Sequence, residues 1–188
     1  MKKSQKKEAI LNVAEQLFYR CGFHAVGVKS ILEEAGVAPM TMYYHFQSKE
    51  DLIKEILVRR ENQYLQLIET NVKREDGINS YIKSLIKIHL NWIEKDSFNG
   101  CLFLRAKQEY EGINDEIASL TREHKKTLLN RIENDIEIFH VSRSLGVQLL
   151  IILEGLTSIA QIQPIDEVKE AANSLIKGIY EGIYDAGK

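Results

Sequence analysis

Apolar residues return along this chain at helical intervals almost from end to end. Ala9, Val13, Leu17 and Cys21 recur every fourth residue, Ala14 and Phe18 widen the stripe, and Gly22 marks a stop. A second, short helix is predicted over Val28 to Ala35, ending at Gly36. The next begins near Pro39, a residue that needs no donor in a first helical turn. Ser48, followed three residues on by Asp51, predicts a capped start for a long helix reaching about Asn71. Residues 72–79 read as a loop, after which Ile78, Ile82, Leu85, His89 and Trp92 mark one helical face. A further loop at 95–100 precedes a helix over 101–110, and Asn114 caps a long helix with Ile117, Leu120, His124, Leu128, Ile132 and Ile136 on its stripe. Residues 144–162 are apolar on nearly all sides, which predicts a buried or interfacial helix. Beyond Pro164 a last helix shows Val168, Ala172, Leu175, Ile179 and Ile183.

No alternating run predicts a strand, so the expected fold is all-α, with about nine helices joined by short loops. The expected division is a small N-terminal three-helix bundle over 1–50 and a larger helical domain over 51–188, the boundary falling near the start of the long fourth helix.

Composition changes this picture little. With 188 residues, 44% of them hydrophobic and only two prolines, the chain can build a full core and has little turn-dense or low-complexity sequence. The net charge of −2 gives no global sign of a polyanionic partner, but residues 1–60 carry +3 and the remainder −5. A basic head on an acidic body suggests that the head alone meets such a partner. Cys21 and Cys101 form no Cys-x-x-Cys pair, so neither a metal cage nor a disulfide framework is expected, and a reduced compartment fits. Glu8, Asn12, Glu15 and Gln16 interrupt any signal-peptide core behind the basic start, and the longest apolar run, residues 149–153, is too short to span a bilayer. A cytoplasmic protein without a membrane partner or cofactor is expected.

Candidate chemistry concentrates in residues 28–49. Two short helices joined by a tight turn at Gly36 follow the helix-turn-helix plan. Ile31, Ala35 and Val37 are placed to pack on Leu17 and Phe18, and Met42 and Phe46 to bury the inner face of the second helix. Met40, Thr41, Tyr43, Tyr44 and His45 are left near or facing solvent, where the two tyrosines and the histidine suit donors to phosphates and base edges. On periodicity and charge alone, a structural helical turn with half-buried tyrosines is an equal reading.

The tract 33–52, EEAGVAPMTMYYHFQSKEDL, resembles the signature of the TetR family of transcriptional repressors, the tetracycline-repressor type. With Ala14-Glu-Gln-Leu-Phe and Gly22-Phe upstream, the likeness covers about residues 8–60; beyond it only helix count and length agree. The resemblance implies that Met40 and Thr41 contact bases. It also implies that Tyr43, Tyr44 and His45 hold the DNA backbone or orient the helix, and that Lys49 binds a phosphate at a helix N-terminus. Lys29 then lies near phosphates, with Lys6 and Lys7 reaching an adjacent backbone. Two positions depart from the family: Gly27 and Val28 stand where Thr or Ser is common, and Ala38 where a capping Ser is common.

Gly22-Phe-His-Ala-Val-Gly-Val-Lys-Ser is one residue away from a P-loop, but Val28 separates glycine from lysine and no strand precedes it. No nucleophile elbow, His-Glu-x-x-His or strand-borne glycine fingerprint is present either, so no enzyme is expected.

In the C-terminal part, His89 and His124 fall on apolar stripes. Each is either a hydrogen-bonded core histidine or part of a ligand pocket with Leu85, Trp92, Phe103 and Leu128, fit for a hydrophobic or aromatic small molecule. TetR-like proteins bind an inducer in this domain, so the resemblance implies a small-molecule effector. Cys101, at a predicted helix start, is either an inert packed thiol or a redox sensor. Ile152, Leu156, Ile159 and Ala160, with Ile176, Gly178, Ile179 and Gly182, form either an internal hairpin or a homodimer interface of four helices. The expected function is a homodimeric regulator that binds a double-stranded, pseudo-palindromic operator and leaves it when an effector binds. The alternatives are a ligand-independent DNA-binding protein and a helical small-molecule binder with a silent helix-turn-helix.

Overall fold

The computed structural model describes the backbone of residues 3–95 and 98–185, and the side-chain surroundings of residues 5–95 and 98–181. Nine helices and no strand are present among the described residues: α1 (Lys3–Cys21), α2 (Val28–Ala35), α3 (Pro39–His45), α4 (Lys49–Asn71), α5 (Ile78–Lys95), α6 (Leu102–Tyr110), α7 (Asp115–Glu137), α8 (Ser144–Ile159) and α9 (Ile165–Asp185). No helix among them is long and apolar enough to cross a membrane.

Local chemistry sets the boundaries. Gly36 takes the left-handed conformation (φ 65°) that ends α2. Its N–H donates to Glu33 O, and the Val37 N–H donates to Leu32 O, the paired bonds of a Schellman turn. Ser48 Oγ accepts the Asp51 N–H at 3.0 Å to start α4, and Asn114 Oδ1 accepts the Ile117 N–H at 3.1 Å to start α7. Ala38 gives α3 no side-chain cap, and Pro39 stands in the first turn instead.

Two expectations shift. On α1 the buried positions are Ile10, Leu11, Ala14, Leu17 and Phe18, while Cys21 is exposed. Ala14, Leu17 and Phe18 therefore stand as the stripe predicts, Tyr19 is buried beside them and Ala9 and Val13 are half-buried, the partners of α1 selecting a face that also takes in Ile10 and Leu11. The helix predicted over 144–162 stops at Ile159, and Val147 and Ile151 on it face solvent.

The chain divides into two compact units, Met1–Asn62 with Cys101–His124, and Gln63–Gly100 with Lys125–Lys188. The core of the first gathers Phe18, Phe23, Ile31, Met42, Phe46 and Ile56 with Leu102, Phe103, Ala106, Tyr110 and Ile117. The three-helix bundle of 1–50 therefore shares its core with α6 and the start of α7. Glu15 ties α1 to α4: Oε2 meets Arg59 Nη2 at 2.5 Å and Oε1 meets the buried Arg60 Nη1 at 2.6 Å, with the Arg60 guanidinium over the Tyr19 ring. The second unit packs Tyr64, Ile68, Tyr81, Leu85 and Ile86 against Leu128, Ile132, Leu149, Leu153 and Ala172. Within it Asp135 accepts hydrogen bonds from Arg74, Tyr81 and Arg131.

Candidate nucleic-acid interface

Helix α3 is seven residues long and has two opposite faces. Met42 and, just beyond it, Phe46 are buried in the first unit's core. Met40, Tyr43 and Tyr44, at i, i+3 and i+4, form the other face, with exposures of 80%, 62% and 62%. Burying aromatic and thioether surface is favourable, so three such side chains left in water form an apolar patch on this face. Thr41 and His45 are half-buried at the edge between the faces. The His45 ring stands edge-on to Tyr44 at 5.0 Å and tilted to Phe46 at 6.2 Å. Its Nε2 is buried without a hydrogen-bond partner among the described residues.

The lysines differ among themselves. Lys29 is a fully extended surface cation, held loosely by Glu33 at 3.8 Å. Lys7 is committed within the unit: its Nζ meets Glu55 Oε1 at 2.6 Å and lies over the Phe46 ring. Lys6 is half-buried on α1. Lys49 opens α4, and partial burial holds its ammonium below the ordinary lysine range, with Glu50 and Glu109 pulling it back up. An anion there would meet a poorly solvated cation and the unpaired N–H groups of a helix start together. Gly27 precedes α2 in extended conformation with open space around its α-carbon, which lets a phosphate approach its backbone.

Sequence reasoning missed Arg105 and Glu109 of α6, which hold the end of α1 and the turn after it. No local signal betrays them, since their partners lie more than eighty residues upstream.

The six residues proposed for a ligand pocket are divided between the two units. Phe103 and His124 belong to the first unit, where their rings stack at 3.7 Å and His124 Nδ1 lies 3.3 Å from Glu61. Leu85, His89, Trp92 and Leu128 belong to the second. His89 is saturated there. Its Nε2 lies 2.8 Å from Leu153 O, which only accepts, so Nε2 carries the proton; Nδ1 then accepts from Tyr64 OH at 2.7 Å. Burial pushes its pKa down to about 4, so the ring is neutral at pH 7. Cys101 is the half-buried residue preceding α6.

The proposed dimer residues also divide. Leu156, Ala160 and Ile176 are buried in their own subunit's core. Ile152 and Ile179 are half-buried, while Ile159 and Gly178 are exposed. Gly182 lies outside the residues whose surroundings are described. The open apolar positions are instead Val147, Ile151 and Ile159 on α8, Ile162 after it, and Leu175 on α9.

A short helix with an exposed reading face, set by a glycine turn on a buried bundle and continued into an all-helical body, defines a helix-turn-helix protein. Residues 10–56 match the family described as bacterial regulatory proteins, tetR family. The chain is 29% identical over 79 residues to the HTH-type transcriptional regulator UidR of Escherichia coli (42% of this chain, 40% of that one). It is 36% identical over 90 residues to RutR of the same organism (45% and 42%). These matches span less than half the length of those relatives. A TetR-family transcriptional regulator from Streptomyces coelicolor superposes with a TM-score of 0.87 at 21% identity, covering 96% of each chain. The chain carries a helix-turn-helix stretch that matches the tetR-family model and shares the fold of the Streptomyces coelicolor regulator over 96% of its length.

Proposed function

We propose that this protein is a homodimeric, DNA-binding transcriptional repressor that reads a pseudo-palindromic operator with the Met40–Tyr43–Tyr44 face of α3. The two-faced character of α3, core on one side and exposed aromatic surface on the other, carries this reading. Residues 1–50 act as the reading head: Thr41 and His45 flank the face, and Lys6, Lys29 and Lys49 supply phosphate contacts. A palindromic site requires a two-fold dimer. Val147, Ile151, Gly155 and Ile159 recur every four residues on the outside of α8, and Leu175 and Gly178 on the outside of α9. Pairing these faces across a two-fold axis makes a four-helix interface whose small residues permit close approach.

Release follows if an effector in the helical body prefers a dimer state whose two α3 helices no longer meet successive major grooves. An effector with equal affinity for both states shifts nothing. The test is selection of bound duplexes from random DNA over a salt series. A palindromic consensus that weakens steeply with salt supports the proposal, and no enrichment by folded dimer overturns it.

A further inference from the structure

The C-terminal end of α4 and the outward side of α5 enclose a cleft of about 430 Å³ within the second unit, open on one side. Its apolar surface comes from Leu67, Ile88 and Trp92, and its polar edge from Lys73, Lys87 and Asn91. No carboxylate lines it among the described residues, although the chain as a whole is acidic. Lys73 is drawn to Asp76 at 3.6 Å in an exposed pair. Lys87 and Asn91, one turn apart on α5, make no hydrogen bond or ion pair among the described residues. The Lys73 N–H donates to Ser84 Oγ at 3.0 Å, which brings Lys73 to the same stretch of α5 that carries Lys87. Lys95, two turns beyond Lys87, stands roughly 12 Å further along the helix.

We propose that this cleft binds a small amphiphilic carboxylate, its head at Lys87 and Asn91 and its apolar body over Ile88, Leu67 and Trp92. The volume suits a small organic ligand, and an apolar floor with a few convergent polar groups is the usual build of such sites. Charge complementarity selects the anion, because every ionisable lining group is a cation. Trp92 also faces inward: its ring packs on Tyr64 at 5.3 Å, Tyr64 OH donates to His89, and His89 Nε2 is bound to Leu153 and Thr157 of α8. An occupant that braces Trp92 thereby bears, through three side chains, on the helix assigned to the dimer interface. The identity of this carboxylate as the effector rests on the regulator reading above; its binding does not.

Trp92 is the chain's one tryptophan, so intrinsic fluorescence reports on the cleft directly. Octanoate titrated into the full-length protein is expected to change Trp92 emission saturably. Lys87→Glu should raise the half-saturation concentration at least tenfold, whereas Lys83→Glu, an exposed lysine outside the cleft, should leave it unchanged, with circular dichroism matching wild type in both. Equal response to 1-octanol, tighter binding of octyl phosphate, or indifference to Lys87→Glu overturns the proposal. Operator binding without an octanoate response sinks the cleft and leaves the regulator standing. Octanoate binding that depends on Lys87, with no operator selected, supports the cleft and sinks the regulator.

Discussion

Glu109 holds His24 by both of its ends: the carboxylate accepts the His24 backbone N–H at 2.7 Å, and the Glu109 carbonyl accepts from His24 Nε2 at 2.7 Å. The same carboxylate accepts the Phe23 N–H at 3.1 Å. One turn earlier on α6, Arg105 donates to the Phe18 and Tyr19 carbonyls in the last turn of α1, the first of which also accepts the Gly22 N–H at 3.0 Å. Two oppositely charged side chains of one helix thus satisfy the backbone on both sides of Gly22 and set where α2 begins.

Glu109→Ala leaves those N–H groups to solvent and is expected to cost about 1–3 kcal/mol, measured by urea unfolding. Gly22→Ala is expected to cost a similar amount, because a Cβ there would lie 2.8 Å from Glu109 Oε1 and the backbone has φ +87°. The double variant should be less destabilised than the sum, since removing the carboxylate relieves the clash but not the left-handed backbone. Strict additivity would show that the close approach carries no energy.

Residues on the two faces of α3 should separate binding from stability. Tyr43→Ala is expected to weaken operator affinity at least tenfold with unfolding unchanged within about 0.5 kcal/mol. Met42→Ala, fully buried, should cost about 2–5 kcal/mol of stability. Unfolding curves and gel-shift titrations of the two variants decide, and destabilisation by Tyr43→Ala would make that tyrosine structural.

The buried His89 predicts an acid-side loss of stability. Its pKa is about 4 folded against 6.5 unfolded, so above pH 6.5 neither state binds the proton and the term is flat. Between about pH 6.5 and 4 the unfolded chain takes up a proton that the folded chain refuses, and stability falls. Below about 4 the term flattens again, after a loss on the order of 3 kcal/mol. His89→Gln should remove this part of the slope. Parallel pH profiles for variant and wild type would place the acid sensitivity elsewhere.

Ile151→Glu, on the exposed face of α8, should yield folded monomer in sedimentation analysis, whereas Leu156→Ala should lower stability by about 2–5 kcal/mol and leave the assembly state alone. A dimer that survives Ile151→Glu would remove that face from the interface.

Helix limits were largely legible because local residues write them: Gly36, Pro39, Ser48 and Asn114 each act within four positions of themselves. The exposed face of α3 was legible for the same reason, since Met42 and Phe46 define the buried side and leave Tyr43 and Tyr44 outside. Facing directions that depend on distant partners were not. On α1 the burial of Ala14, Leu17 and Phe18 was legible, whereas Ile10 and Leu11 were missed and Cys21 was placed on the stripe although it is exposed. Leu156 and Ile176 were read as interface although they fill their own core, and nothing near Arg105 or Glu109 announces partners on α1. His89 had the two readings that any polar residue on an apolar stripe has, and only the Tyr64 hydroxyl and Leu153 carbonyl close both of its nitrogens.

The reading head also lacks the independence that a movable cassette needs. Leu102, Phe103, Ala106, Tyr110 and Ile117 belong to the same core as Phe18 and Met42, although they lie at least 60 residues further along the chain. A chimaera that transplants residues 1–50 onto a foreign helical body inherits an open side unless the host supplies matching apolar residues from its own sixth and seventh helices. Under the proposed function, changing operator specificity is a matter of repainting the few outward residues of α3, whereas exchanging the whole head requires the host to be rebuilt around it.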